Sequence, residues 1–94
     1  MLISGADDAM WPSALMVGKV AARLAAHDHP YPVENLVYPG AGHAITPPYA
    51  PPTLEVFHPV SKRMLALGGT PAAGAHANAD HWPRVVRFLT ESLR

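Results

Sequence analysis

The chain has 94 residues, so it is at most one domain and falls short of the roughly 200 residues that a complete doubly wound α/β sheet usually needs. Hydrophobic residues make up 49% of the chain and charged residues 15%, a composition that predicts a packed core and excludes a disordered chain. Seven basic side chains balance seven acidic ones, so the charge predicts neither a nucleic acid nor a membrane as partner.

Cysteine is absent, which excludes a disulfide framework and favours a cytoplasmic location. No apolar run approaches about 18 residues, and the first residues lack the basic start of a signal peptide. Leu2 and Ile3 follow Met1 directly and predict an apolar strand with no cap or turn before it. We therefore expect a C-terminal fragment of a larger fold, with a natural start followed by an ordered strand as the alternative.

The first half of the chain predicts a strand, a helix and a second strand. Residues 1–4 are short and apolar, as in a buried strand. Pro12 suits the first turn of a helix, and apolar residues at i, i+3, i+4 and i+7 within 17–24 predict one apolar face. This helix should end near His27, and Asn35–Tyr38 should form the second short strand.

The second half is irregular at first and then helical. Five prolines within residues 46–59 exclude a long helix and a central strand, so we expect an ordered excursion that packs on the domain. Thr70 and Pro71 have the residue types of a helix cap and a first helical position. Apolar residues then recur at helical spacing as far as Leu93, while Pro83 should kink the helix or mark its true start.

One polar residue ends each of the two strand segments. Asp8 closes Met-Leu-Ile-Ser-Gly-Ala-Asp-Asp, and His43 closes Leu-Val-Tyr-Pro-Gly-Ala-Gly-His. Doubly wound sheets place their sites at the carboxyl ends of parallel strands. The order strand, acid, helix, strand, histidine is that of the last part of an α/β-hydrolase, whose triad runs Ser, Asp or Glu, His along the chain. We therefore predict an α/β fold over residues 1–94: the C-terminal portion of an α/β-hydrolase, with its last two parallel strands and flanking helices.

Each of these residues has a structural alternative. Asp8 can orient a histidine through its Nδ1–H, but Asp7 or Asp8 can also simply cap the turn. His43 follows a Gly-x-Gly turn and suits a general base, and the alternative is a surface loop histidine. His27 and His29 could chelate a metal as His-x-His, although no third ligand is indicated. No pattern assigns a role to the other three histidines: His58, His76 and His81.

The chain offers no nucleophile that the sequence can identify. A nucleophile elbow has the pattern Gly-x-Ser-x-Gly between a strand and a helix. None of the four serines stands in that pattern: Ser4, Ser13, Ser61 and Ser92. We therefore expect the nucleophile, if there is one, to lie upstream of this chain.

Three segments resemble one family, the C-terminal catalytic domain of acyl-CoA thioesterases and bile acid-CoA:amino acid N-acyltransferases. They are residues 5–13 (Gly-Ala-Asp-Asp-Ala-Met-Trp-Pro-Ser), 38–49 (Tyr-Pro-Gly-Ala-Gly-His-Ala-Ile-Thr-Pro-Pro-Tyr) and 68–71 (Gly-Gly-Thr-Pro). The resemblance implies that Asp8 is the triad acid and His43 the triad base. It also implies a serine or cysteine nucleophile in a missing N-terminal half of the same fold, an acyl-CoA or other acyl thioester or ester as substrate, and no cofactor or metal.

Three hypotheses follow. In the first, the chain is the acid–base part of an acyl-CoA thioester hydrolase or acyltransferase, inactive when isolated. It requires Asp8 and His43 to lie within hydrogen-bond reach, and a separation beyond about 6 Å would count against it. In the second, the chain is a non-catalytic remnant or an interaction module derived from an α/β-hydrolase. An unrelated α/β domain with a structural Asp and His is a third, weaker reading.

Overall fold

The computed structural model describes residues 1–94 and is built from two helices and four strands. In chain order the elements are β1 (Leu2–Gly5), α1 (Ser13–Ala26), β2 (Asn35–Tyr38), β3 (Glu55–His58), β4 (Arg63–Ala66) and α2 (Pro71–Ser92). Helices and strands are mixed, and one strand pair is parallel. The α/β class and the parallel pair with flanking helices are confirmed.

The parallel pair β1–β2 directs two loops toward the same edge. Its register runs from Leu2 opposite Asn35 to Gly5 opposite Tyr38, so both strands end at the same level. Helix α1 connects the two strands and packs against both. It begins at Ser13, one residue later than predicted, because Pro12 has a ψ of 58° and is not helical.

The proline-rich segment leads into a hairpin that the sequence did not predict. Strands β3 and β4 pair antiparallel, from Glu55 opposite Ala66 to His58 opposite Arg63. The last of the five prolines, Pro59, lies in the turn between the strands, where a missing N–H costs no ladder hydrogen bond. The prolines therefore border the hairpin and do not interrupt it.

Helix α2 begins as the sequence predicts. Thr70 is its N-cap, the Thr70 hydroxyl accepts a hydrogen bond from the Ala73 amide at 3.3 Å, and proline follows at the first position. Pro83 does not mark the true start, because the helix continues through it to Ser92. A proline lacks the amide hydrogen that would bond to the carbonyl four residues earlier, which here belongs to Ala79. Because Ala79 is exposed, water can bind to this carbonyl instead.

Helix α2 is fixed to β2 by one tyrosine. The Tyr38 hydroxyl donates to Asp80 Oδ2 at 2.8 Å, and Arg84 Nε donates to the same oxygen at 3.0 Å. Burial and the neighbouring Asp80 carboxylate raise the pKa of Tyr38 to about 12, so the phenol remains a donor. The Tyr38 hydrogen bond is also the main cause that lowers the pKa of Asp80.

The apolar core is small. Its centre is formed by Tyr38, Ala41 and Ala77, against which three half-buried aliphatic side chains pack: Ile3, Leu36 and Ile45. Only 10 of the 94 residues are buried, so side-chain packing alone holds little of this structure in place.

Backbone hydrogen bonds join three loops beside this core: residues 5–9, 40–43 and 67–70, which we call the three-loop junction. The Leu67 carbonyl accepts from the Ala9 amide at 3.1 Å and from the His43 amide at 2.8 Å. The Asp7 amide donates to the Ala41 carbonyl at 2.9 Å. The loops that carry Asp8 and His43 are therefore both bonded to the third loop.

Glycines allow these loops to approach one another. A Cβ on Gly5 would overlap the Gly42 and Ala41 carbonyls, and a Cβ on Gly42 would overlap the Gly68 carbonyl. Because the obstructing atoms belong to the backbone, no side chain can rotate away to make room. The junction requires glycine at both positions.

We expect Gly42→Ala to lower the free energy of unfolding by about 2 kcal/mol or more, because the added methyl group would force the three loops apart. The matched control is Gly18→Ala in α1, where nothing lies within 4 Å of the added Cβ. Removing a glycine from a helix should stabilise the chain by up to about 1 kcal/mol. Urea unfolding of dilute protein measures both changes, and equal effects of the two substitutions would contradict a close-packed junction.

The isolated 94-residue chain should self-associate. Large apolar side chains are exposed on α1, among them Leu15 at 60% and Met16 at 50%, and β1 pairs with a strand on one edge only. Exposed apolar patches and unpaired strand edges promote association. Size-exclusion chromatography with light scattering measures the mass, and a monomer with a sharp melting transition would contradict this expectation.

Candidate active site

Asp8 and His43 meet at the carboxyl ends of the parallel strands. His43 Nδ1 lies 2.8 Å from Asp8 Oδ2. The side chain of Asp8 is 3% exposed and that of His43 is 38% exposed. The predicted proximity of the two side chains is confirmed. Since an ionised carboxylate can only accept, the neutral imidazole carries its proton on Nδ1 and has Nε2 as an acceptor.

The Asp8 carboxylate makes four hydrogen bonds. Its Oδ1 accepts from the amides of Met10 at 2.8 Å and Trp11 at 3.0 Å. Its Oδ2 accepts from the Ser13 hydroxyl at 2.5 Å in addition to His43. A carboxylate has about four acceptor sites, so all of them are occupied. The alternative role of Asp8, a cap for the following turn, is therefore combined with its contact to His43.

These contacts keep Asp8 ionised. Burial raises the pKa of Asp8, but hydrogen bonds from the Ser13 hydroxyl, the Trp11 amide, His43 and the Met10 amide together outweigh it and lower the pKa from 3.8 to about 2. Each bond stabilises the charged form. Asp8 is thus a fixed negative charge beside the imidazole.

A cavity of about 270 Å³ opens beside the pair. The residues that line it are Ile3, Ser4, Gly5, Asp8, Ser13, His43, Ile45 and His81. Ser4 and His81 are buried, at 4% and 6% exposure. His81 Nδ1 lies 2.7 Å from the Ala77 carbonyl, whereas the Ser4 hydroxyl has no hydrogen-bond partner.

Three of the polar residues in this cavity were not identified from the sequence. Ser13 was considered only as a nucleophile, although its place at the start of α1 allows it to reach Asp8. Ser4 is the one polar residue of an apolar strand, a signal that could have found it. His81 lies one helical turn after Ala77, on the buried face of α2. The spacing of one helical turn from Ala77 is the sequence signal that could have identified His81.

The remaining histidines lie elsewhere. His58 Nδ1 accepts from the Ser61 amide at 3.0 Å in the turn of the hairpin. His27 and His29 border a separate shallow surface pocket near the end of α1. The structure assembles no group of three or more His, Asp or Glu that could hold a metal ion, so these two histidines gain no third ligand.

The arrangement can orient and stabilise an imidazole, but neither serine in the cavity is placed as its nucleophile. The Ser13 hydroxyl donates to Asp8, and the Ser4 hydroxyl makes no hydrogen bond to His43. A nucleophile activated by histidine must reach its ring nitrogen. The chain therefore contains a hydrogen-bonded Asp–His pair, and no serine hydroxyl is bonded to its imidazole.

The comparisons with known proteins all match this chain to acyl-CoA thioester hydrolases. A family model described as "BAAT / Acyl-CoA thioester hydrolase C terminal" matches residues 1–94. Acyl-coenzyme A thioesterase 6 of Homo sapiens is 34% identical over 93 residues, which are 99% of this chain and 22% of that protein. In Mus musculus, acyl-coenzyme A thioesterase 2, mitochondrial, is 33% identical with 20% of its length covered, and peroxisomal succinyl-coenzyme A thioesterase is 33% identical with 22% covered. The chain spans about a fifth of these relatives.

No helix of the structure is long and apolar enough to cross a membrane.

We expect Ser13→Ala to raise the pKa of Asp8 from about 2 toward 3.8, because the carboxylate loses its shortest hydrogen bond. Since the folded pKa is depressed, the stability contributed by Asp8 is present above pH 3.8 and is lost as the pH falls through about 2. In the variant the loss should be smaller and should be complete at a higher pH, because the folded pKa lies closer to 3.8.

Carbon-13 NMR titration of the Asp8 carboxyl measures the shift, and acid unfolding measures its consequence. Ser92→Ala, at an exposed serine at the end of α2, is the matched control and should leave the pKa of Asp8 unchanged. The same titration curve for Ser13→Ala and the unsubstituted chain would show that the hydroxyl does not stabilise the charge.

Proposed function

The chain belongs to the BAAT / acyl-CoA thioester hydrolase C-terminal family, and we propose that Asp8 and His43 are the acid and base of a catalytic triad that acts on acyl-CoA thioesters. The observation that carries the proposal is the 2.8 Å contact between His43 Nδ1 and Asp8 Oδ2. It has the geometry that a triad requires of its acid and its base. The relatives at 32–34% identity are named as acyl-CoA thioesterases, which supports the substrate class.

The nucleophile in this proposal is a serine or cysteine outside these 94 residues, in the part of the fold that precedes β1. His43 Nε2 removes its proton as the oxygen or sulfur attacks the thioester carbonyl carbon. The bond from that carbon to the CoA sulfur breaks, CoA leaves with the proton from His43, and an acyl-enzyme remains. Water or an amine then attacks the acyl carbon, with His43 again as base.

Asp8 suits its part in this reaction. A residue that stabilises an imidazolium must itself stay ionised through the cycle. The pKa of about 2 keeps Asp8 negative at neutral pH, and its four hydrogen bonds fix the position of the carboxylate. No step of this scheme requires a metal or a cofactor.

The cellular location of the protein is predicted from composition alone. The composition predicts the cytoplasm, and this stays a prediction, since two relatives carry "mitochondrial" and "peroxisomal" in their names.

The first test is to read the DNA upstream of the Met1 codon. We expect an in-frame Gly-x-Ser-x-Gly or Gly-x-Cys-x-Gly about 80–120 residues earlier, a spacing estimated from strand and helix repeat lengths. Such an elbow would also decide serine against cysteine. A stop codon with no elbow would support the alternative, a non-catalytic remnant or an interaction module.

The second test uses the protein encoded by the whole reading frame and an acyl-CoA substrate. Asp8→Asn and His43→Gln should each lower kcat by up to about 10⁴-fold, because each breaks the triad. His29→Gln, at an exposed histidine outside the cavity, is the matched control and should leave kcat unchanged. Thioester hydrolysis that survives the His43 substitution would contradict the proposal.

A further inference from the structure

We propose that an apolar groove between β1 and the start of α1 binds the alkyl chain of the acyl group, so that the substrates are fatty acyl thioesters and not thioesters whose acyl group ends in a carboxylate. This acyl groove has a volume of about 340 Å³ and is lined by Ile3, Trp11, Ser13, Met16 and Val17. The inference rests on the proposed function, because it names the acyl group on which the triad would act.

The acyl groove adjoins the cavity that contains Asp8 and His43. Ile3 and Ser13 line both of them. The Ser13 hydroxyl lies 2.5 Å from Asp8 Oδ2, and the same oxygen lies 2.8 Å from His43 Nδ1. One carboxylate oxygen therefore lies between a lining residue of the groove and the imidazole. A thioester whose carbonyl carbon lies beside His43 can extend its alkyl chain into the groove.

Trp11 has a fixed backbone and an exposed side chain. Its amide donates to Asp8 Oδ1 at 3.0 Å, and its carbonyl accepts from the Ser13 amide at 2.7 Å. Trp11 is nevertheless 54% exposed, and Met16 beside the same groove is 50% exposed. A large apolar side chain that is held beside the acid and left open to solvent is a surface that an apolar ligand can cover.

The lining of the acyl groove carries no charge. Four of its five residues are apolar, and the fifth, Ser13, donates its hydroxyl proton to Asp8. The two cations of α1, Lys19 and Arg23, do not line it.

This lining selects against an acyl group that ends in a carboxylate, such as succinyl. A carboxylate in the groove would find no cation and would be repelled by the ionised Asp8 nearby. An alkyl chain meets neither penalty, and it gains free energy from the apolar area that it removes from water.

The kinetic test uses the protein encoded by the whole reading frame, with dodecanoyl-CoA, butanoyl-CoA and succinyl-CoA as substrates. In the unsubstituted protein kcat/KM should rise about threefold to fourfold for each methylene that the groove covers. Trp11→Ala should lower the ratio of kcat/KM for dodecanoyl-CoA to that for butanoyl-CoA about tenfold, and Trp11→Phe should restore most of it. Met16→Arg should lower the same ratio and raise kcat/KM for succinyl-CoA about tenfold, because a guanidinium pairs with its carboxylate.

Leu15→Arg is the matched control for the added charge. Leu15 precedes Met16 on α1 and is 60% exposed, but it does not line the groove, so this substitution should change neither quantity. A ratio that survives both Trp11→Ala and Met16→Arg would overturn the inference. Equal losses for dodecanoyl-CoA and butanoyl-CoA, with a lower melting temperature, would overturn it too, since an upstream segment would then fill the groove. Absence of hydrolysis that depends on His43 in the unsubstituted protein would overturn the proposed function instead.

A structural readout tests the acyl groove without activity and without a variant that must fold. S-dodecyl-CoA is a thioether that cannot be hydrolysed. In a crystal structure of the same protein we expect its alkyl chain within about 4.5 Å of Trp11 and Met16. An alkyl chain bound elsewhere, or a segment of protein in the groove, would overturn the inference.

Discussion

One backbone carbonyl fixes the loop that carries Asp8 relative to the loop that carries His43. The carbonyl oxygen of Leu67 accepts hydrogen bonds from the amides of Ala9 and His43, so the loop after β1 and the loop after β2 are bonded to the same atom. A carbonyl oxygen has two lone pairs, and here both are used. The separation between Asp8 and His43 therefore depends on a loop that arrives about sixty residues later than Asp8 and contributes no side chain to the pair.

This arrangement compensates for a small core. With 10 of 94 residues buried, dispersion and the hydrophobic effect fix few side chains, whereas backbone hydrogen bonds across the three-loop junction fix the strand ends directly. The two members of the pair are held differently. The Asp8 side chain is 3% exposed and fully hydrogen-bonded, while the His43 side chain is 38% exposed and hydrogen-bonded through Nδ1 alone. A fixed carboxylate and an accessible imidazole are what the proposed triad requires.

The parts of this structure that could be predicted depend on neighbours in sequence. The strand–turn pattern located Asp8 and His43, and Thr70 with Pro71 located the start of α2, because turns and caps are local. Of the two roles predicted for Pro83, the start of the helix is wrong, since α2 continues past it, and the kink stays a prediction. The hairpin was not predicted, because five prolines obscured the strand signal of residues 55–66. Ser4 and His81 share a cavity only after α2 packs beside β2, which no local pattern encodes.

The shared acceptor on Leu67 has an evolutionary consequence. Substitution changes side chains and not peptide oxygens, so mutations at position 67 can alter the side chain and still conserve the bond that sets the geometry of the pair. The bond itself is sensitive at Gly5 and Gly42, where any side chain would displace the peptide groups. Selection on this site would then act through residues that never touch the reacting atoms, the two glycines through the space they leave empty and Leu67 through its buried side chain.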